Sequence, residues 1–196
     1  MTKVGYELLP ELGEVHRIHI AQRLEPSAIA WQRNAELAGG GSVTLTGVHD
    51  FDLVRWFTGT TPAQVYARLR RLLGHPMENL LDACFEYADQ PLLAACEVSK
   101  FSASRSALLE LVGTQGQCWV DYLGGRVEWL SGRDRRTVIE LGDRPTLPPT
   151  LSTFCRWLEV DGANPVPVAD GVEALRMADA VYRSAALGRP VPVTLD

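Results

Sequence analysis

The hydrophobic rhythm of the chain changes twice along its length. After Gly13, His16, Ile18 and Ile20 alternate with Arg17, His19 and Ala21, a repeat of every second residue that predicts a strand. On such a strand His16 and His19 face opposite sides, so they cannot share one metal ion and read as ordinary strand positions. The stretch from Pro26 to Gly41 has no period and closes on three consecutive glycines, which suits a tight loop entering a helix. Between Ser42 and Thr58, the residues Val43, Val48, Phe51, Leu53, Val54 and Phe57 recur at helical intervals and predict a largely buried helix that Gly59 stops.

From about Pro62 to Leu141 the pattern returns to strands. Apolar-rich runs at 65–73, 80–87, 92–101, 108–112, 117–122, 127–130 and 137–141 are separated by short turn sequences, ADQP, GTQG, LGG and SGRD, as in an antiparallel meander. The turn-rich stretch 142–149 then leads to two predicted helices, Leu151 to Glu159 and Gly171 to Leu187, and a closing strand, Val191 to Leu195. Strands gathered in the middle with helices on either side give an α+β fold: a large open, mainly antiparallel sheet with helices packed on one face, forming a single domain over residues 1–196. The second face has no helices of its own. Leu92, Ala94, Cys96 and Val98 lie on one side of their strand, and Leu93, Ala95 and Phe101 on the other. Apolar residues on both sides predict a homodimer formed sheet on sheet.

Composition narrows the partners. Nineteen basic and 24 acidic side chains leave a net charge of -5, which argues against nucleic acid, and the Arg68, Arg70 and Arg71 cluster reads as a solvated strand face. No apolar run is long enough to cross a membrane and no signal peptide opens the chain, so the expected location is the cytoplasm. The four cysteines, Cys84, Cys96, Cys118 and Cys155, lie 12, 22 and 37 residues apart with no paired spacing, and read as buried free thiols without a metal. Ser102, Ser104 and Ser106 sit in a turn with no histidine signal beside them, so no nucleophile triad is indicated.

The segment WQRNAELAGGGSVTLTGVHDFDLVRWFTG, residues 31–59, resembles the W-R-x-D-P-E-L-A-G-G-G-x-L-x-D-x-G-x-H-x-x-D-x-x-R-W-L-x-G signature of the Gfo/Idh/MocA oxidoreductases, the family of glucose-fructose oxidoreductase and inositol dehydrogenase. LELVGTQGQCWVD, residues 109–121, is similar to that family's sheet hairpin, and DGVEALRMADAVYRSAALGRPVPV, residues 170–193, to its closing helix and strand. The resemblance implies the family's second, substrate-side and oligomer-forming domain. It also implies NAD(P) as the family cofactor, but none bound by this chain alone. A dinucleotide fold needs a strand, a G-x-G-x-x-G turn and a ribose-binding acid about 20 residues on, and no such series occurs. Gly39 to Gly41 has the wrong spacing, Gly113 and Gly116 lie in a strand turn, and neither Lys3 nor Lys100 sits in the family's E-K-P motif. Val4 to Tyr6 resembles sequence that follows the nucleotide domain, and Leu8 to Gly13 is too short for the usual first helix.

By the same resemblance His49 matches the histidine that works beside the reacting hydroxyl, a task an imidazole suits because it exchanges protons near neutrality. Trp31, Arg33 and Asn34, on the loop before it, are the expected substrate-binding residues. The family's aspartate four residues before the histidine is Leu45 here, a separation that would put both side chains on one helical face. His49 can equally be a hydrogen-bonded packing residue at the start of a buried helix, with Asp52 anchoring that helix and Arg55 and Trp56 packing. Three functions remain open: a non-catalytic domain that dimerises and binds a small carbohydrate; the substrate-binding part of an NAD(P)-dependent sugar or polyol oxidoreductase whose Rossmann domain lies elsewhere or acts in trans; and a regulatory module pairing with an intact relative.

Overall fold

The computed structural model describes residues 7–142, 145–160 and 164–194, so Val4 to Tyr6, part of the turn-rich stretch 142–149 and Leu195 lie outside the described residues. Nine strands form one sheet: β1 (Val15–Arg23), β2 (Gln64–Arg70), β3 (Leu80–Glu86), β4 (Leu93–Ser99), β5 (Ser106–Gly113), β6 (Gly116–Asp121), β7 (Arg126–Ser131), β8 (Arg135–Glu140) and β9 (Val191–Pro192). Five α-helices among the described residues accompany it: α1 (Leu9–Leu12), α2 (Ala35–Ala38), α3 (Val48–Thr58), α4 (Leu147–Glu159) and α5 (Val168–Leu187). The single turn α1 occupies the stretch that seemed too short for a helix. The strand order is β8-β7-β6-β5-β1-β4-β3-β2-β9.

The sheet is therefore not one meander. β1 inserts between β4 and β5, parallel to β4 from Arg17 opposite Leu93 to Arg23 opposite Ser99, and antiparallel to β5. Its central place follows from burial: Ile18 and Ile20 are each 2% exposed, under the helices and flanked by Ala94 and Cys96 of β4 and Leu109 and Leu111 of β5. Local pattern cannot announce this pairing, because β1 and β4 are separated by α2, α3 and two strands.

The helical side of the sheet carries the core. α5 lies on β2 and α3 packs against α5, burying Ala174, Met177, Ala178 and Val181, while Phe51 of α3 meets Phe85 of β3 edge to face at 5.3 Å between centroids. Ser184 joins α5 to the sheet: its Oγ accepts from the Ala67 N–H at 3.0 Å and donates to the Arg189 carbonyl at 2.8 Å. Ser184→Ala leaves a buried strand N–H without an acceptor, and a loss of about 1–3 kcal/mol is expected by chemical denaturation.

The opposite face is polar. Arg23 pairs with Glu97 at 2.7 Å, Trp119 donates its indole N–H to Glu110 at 2.9 Å, and Arg126 and Arg136 both hold Glu128, at 2.8 and 2.6 Å. On this side Ala95 is buried and Leu93 is exposed.

Two smaller differences concern helices and thiols. α4 begins four residues before the expected Leu151, because Pro148 and Pro149 are tolerated in a first turn, where the N–H is unused. It buries no residue and leaves Leu147, Leu151, Phe154 and Leu158 exposed at helical spacing. Cys96 and Cys118 are buried free thiols as expected, whereas Cys84 is half-buried and Cys155, on α4, is exposed.

Candidate functional site

The loop that opens the site is shaped by its glycines. Gly39 closes α2 in the left-handed region at φ 69°. Gly41 passes so near β3 that an added Cβ would lie 1.9 Å from the Glu78 carbonyl oxygen, and its N–H donates to Glu78 Oε1 at 2.7 Å. The same Oε1 accepts from the Tyr182 hydroxyl at 2.6 Å, so one carboxylate clamps the loop to α5. Burial, and then Glu78, push the Tyr182 hydroxyl well above its ordinary range.

The helix expected from Ser42 to Thr58 is two segments. A π-helical turn spans Val43–Gly47 and the regular α3 begins at Val48. Gly47 sits where a Cβ would meet Leu81 at 2.9 Å and Phe51 at 3.1 Å. The wide turn changes the phase between residues 45 and 49. Leu45 lines a small recess with Ser42, His75 and Glu78, and His49 lines a different cavity.

That second cavity, of about 300 Å³, lies where the first turns of α3 cross the ends of β1 and β5. Ile20, Leu53, Ala107 and Leu108 provide apolar wall, and Gln22, His49, Asp50 and Tyr122 bring polar atoms to it. His49 is exposed at the rim. Asp50 is 1% exposed: its Oδ1 accepts a short hydrogen bond from Gln22 Nε2, and its buried Oδ2 has no hydrogen-bond partner. Burial pushes the Asp50 carboxyl up to about 7, against the opposing effect of the Gln22 bond. A carboxyl with that value can hold or release a proton near neutral pH.

Trp31, Arg33 and Asn34 do not line this cavity. All three are exposed, on or just after a 3-10 turn at Ala30–Arg33, and Asn34 caps α2 by accepting from the N–H groups of Glu36 and Leu37 at 2.9 and 3.3 Å. Arg55 does more than pack: it donates to Thr61 at 3.0 Å and to Asp170 Oδ1 at 3.3 Å, tying α3 to the start of α5. Asp52 stands beside it on a neighbouring surface cavity with Trp56 and Val166. Asp50, Gln22 and Tyr122 are the site residues that sequence reading missed. The only available signal was an acid on the buried side of a helix, at the position after His49.

Among the described residues, the turns at Gly41, Gly113 and Gly116 offer no open cradle for a dinucleotide phosphate. Gly41 N–H is already taken by a carboxylate, which would repel phosphate, and added Cβ atoms at Gly113 and Gly116 would meet backbone oxygens of Leu12 and Leu130 at 2.2 and 2.4 Å. Neither turn leaves an open cradle of N–H groups. No cluster of His, Cys, Asp or Glu suited to a metal ion occurs among the described residues.

Residues 10–118 match the family model described as the GFO/IDH/MocA C-terminal domain. The chain belongs to the Gfo/Idh/MocA family. Among solved structures, this Gfo/Idh/MocA domain superposes on levoglucosan dehydrogenase in complex with NADH and levoglucosan with a TM-score of 0.84 at 16% identity, covering 98% of this chain and 62% of that one. It is similar to aldose-aldose oxidoreductase from Caulobacter crescentus complexed with glycerol (TM-score 0.84, 21% identity, 97% and 60% covered). It is also similar to GenD2 from gentamicin A biosynthesis in complex with NAD (TM-score 0.81, 24% identity, 99% and 60% covered). The Gfo/Idh/MocA chain thus spans about three fifths of the lengths of these structures. Comparison with curated protein sequences gives no match. No helix among the described residues is long and apolar enough to cross a membrane.

Proposed function

We propose that residues 1–196 form a single Gfo/Idh/MocA C-terminal-type domain that binds a small sugar-like ligand in the His49 cavity and does not act as a dehydrogenase by itself. The observation that carries this reading is the cavity: apolar wall, a rim imidazole and an inner carboxyl–amide pair, beside glycine turns that leave no open dinucleotide cradle among the described residues. A sugar presents apolar C–H faces and a ring of hydroxyls, which such a lining complements. His49 would hydrogen-bond a hydroxyl at the cavity mouth, and Trp31, Arg33 and Asn34 would meet parts of the ligand that project beyond it. The domain would work in the cytoplasm as a homodimer, through the sheet face that no helix covers.

Titrating the purified chain with NADH and NADPH, followed by energy transfer from its five Trp residues, tests the catalytic half of this proposal. No nucleotide binding and a light-scattering mass of two chains are expected. Tight nucleotide binding, or oxidation of a polyol with added NAD or NADP, would overturn it. A second reading is favoured by the exposed Leu147, Leu151, Phe154 and Leu158 of α4. Such a stripe could seat a Rossmann domain supplied in trans, making this chain the substrate-binding part of an NAD(P)-dependent sugar or polyol oxidoreductase. Co-purification of a lone nucleotide-binding domain, lost on Phe154→Glu, would support that reading.

A further inference from the structure

Arginine carries almost all the positive charge of this chain: 17 of its 19 basic side chains are Arg, and Lys100 is the only lysine among the described residues. Lys100 follows β4 directly and its backbone is pinned. Its N–H donates to the Asn79 carbonyl at 2.8 Å, and the carbonyl of the preceding Ser99 accepts from the Leu24 N–H at 2.7 Å. The half-buried side chain lines the Leu45 recess, where the glycine loop meets the residues just before β3. Glu78 lies in the same recess, but its Oε1 is occupied by the Gly41 N–H and the Tyr182 hydroxyl. No carboxylate forms an ion pair with Lys100 among the described residues, and position 45, an aspartate in the family signature, offers none. Burial therefore lowers the Lys100 ammonium below the usual lysine range with no acid to oppose it. An arginine here would stay charged, whereas a lysine can give up its proton and act as a nucleophile.

We propose that Lys100 is an amine nucleophile that captures a small aldehyde as an imine. The nitrogen lone pair adds to the carbonyl carbon, both amine protons pass through solvent to the carbonyl oxygen, and water leaves. C=N replaces C=O with no change of oxidation state, and hydrolysis reverses the step. The recess sets the class of carbonyl compound. At about 10 Å³ it admits about one water-sized group, so the carbonyl has to end its molecule, as in an aldehyde, and cannot lie between two carbon branches, as in a ketone. Ser27 and Gln32 also line the recess and offer a hydroxyl and an amide to a polar group beside the carbonyl, which favours a short hydroxyaldehyde. The His49 cavity shares no lining residue with this recess, so the inference is independent of the sugar-binding reading.

The test incubates the whole chain at neutral pH with glyceraldehyde and sodium cyanoborohydride, which fixes an imine as a stable secondary amine, beside an equal concentration of free Nα-acetyl-lysine. Peptide mass spectrometry locates and times each adduct in wild type, Lys100→Arg and Leu45→Asp, each variant first checked for a cooperative thermal transition. Lys100 is expected to be labelled about tenfold faster than the free lysine, or more. Glyceraldehyde should label it faster than the isomeric ketone dihydroxyacetone. Labelling should slow in Leu45→Asp, whose carboxylate would hold the ammonium in its charged form. Labelling of Lys100 no faster than that of free lysine would overturn the proposal, and this wild-type comparison decides it whether or not Leu45→Asp folds. An undiminished total rate in Lys100→Arg would also overturn it, placing the adduct on Lys3 or the terminal amine. Equal rates with the two isomers would overturn the aldehyde class, and an unchanged rate in a folded Leu45→Asp would overturn the part played by the recess.

Discussion

Asp50→Asn is expected to remove the pH-dependent destabilisation of the folded chain at pH 8, at most about 4 kcal/mol from roughly three pKa units at about 1.36 kcal/mol each, offset by about 1–3 kcal/mol for a buried amide N–H₂ left without an acceptor. The Asp50 carboxyl rises from its ordinary 3.8 to about 7 on folding because it is buried. A raised carboxyl binds its proton more tightly in the folded state. Its contribution is fully retained below about pH 4, declines as the pH rises from 4 to 7, and is lost above 7, where an ionised group must be buried without a counter-charge. Asparagine has no charge to bury and can still accept from Gln22. Urea denaturation at pH 5 and pH 8 checks this: the wild type should lose stability between the two, and Asp50→Asn should lose markedly less. Parallel curves for the two proteins would mean that Asp50 is solvated in the native state.

Gly41→Ala should have the largest destabilising effect in the glycine loop, about 3 kcal/mol or more, because the added methyl group would lie 1.9 Å from the carbonyl oxygen of Glu78, just before β3, and neither backbone can retreat alone. The neighbouring glycines grade the effect by what they touch. At Gly40 the methyl group meets the tips of Tyr182 and Thr44, at 2.5 and 2.6 Å, which can rotate, although the Tyr182 bond to Glu78 would then suffer. At Gly39 it meets open space, and only the left-handed backbone at φ 69° resists it, at about 1 kcal/mol. Thermal melts of the three alanine variants should therefore rank 41 below 40, and 40 at or below 39. An unaffected Gly41→Ala would mean that the loop does not pack against β3.

What these two positions share is that their sequence signals were ambiguous. Three glycines mark a loop, but not which of them touches another strand, since the Glu78 carbonyl comes from 37 residues further along. Asp50 follows a histidine in a segment whose resemblance to a family signature drew attention to residues 31, 33, 34, 45 and 49. The cavity uses residue 49 from that set, and takes Gln22 and Tyr122 from strand ends that carry no motif.

The sequence by itself determined the elements and the family: alternating residues set the strands, the helical spacing and Gly188 set α5, and the 31–59 segment marked a Gfo/Idh/MocA C-terminal domain. These are properties of neighbours along the chain, where the steric preferences of each residue and the period of burial act directly. Only the tertiary structure decided that β1 sits at the centre of the sheet, that Leu45 and His49 line different recesses, and that Asp50 is buried against Gln22 with its second oxygen unpaired. Each of those depends on contacts between distant segments, and burial, which sets both the pairing of strands and the charge of a carboxyl, exists only once those segments have met.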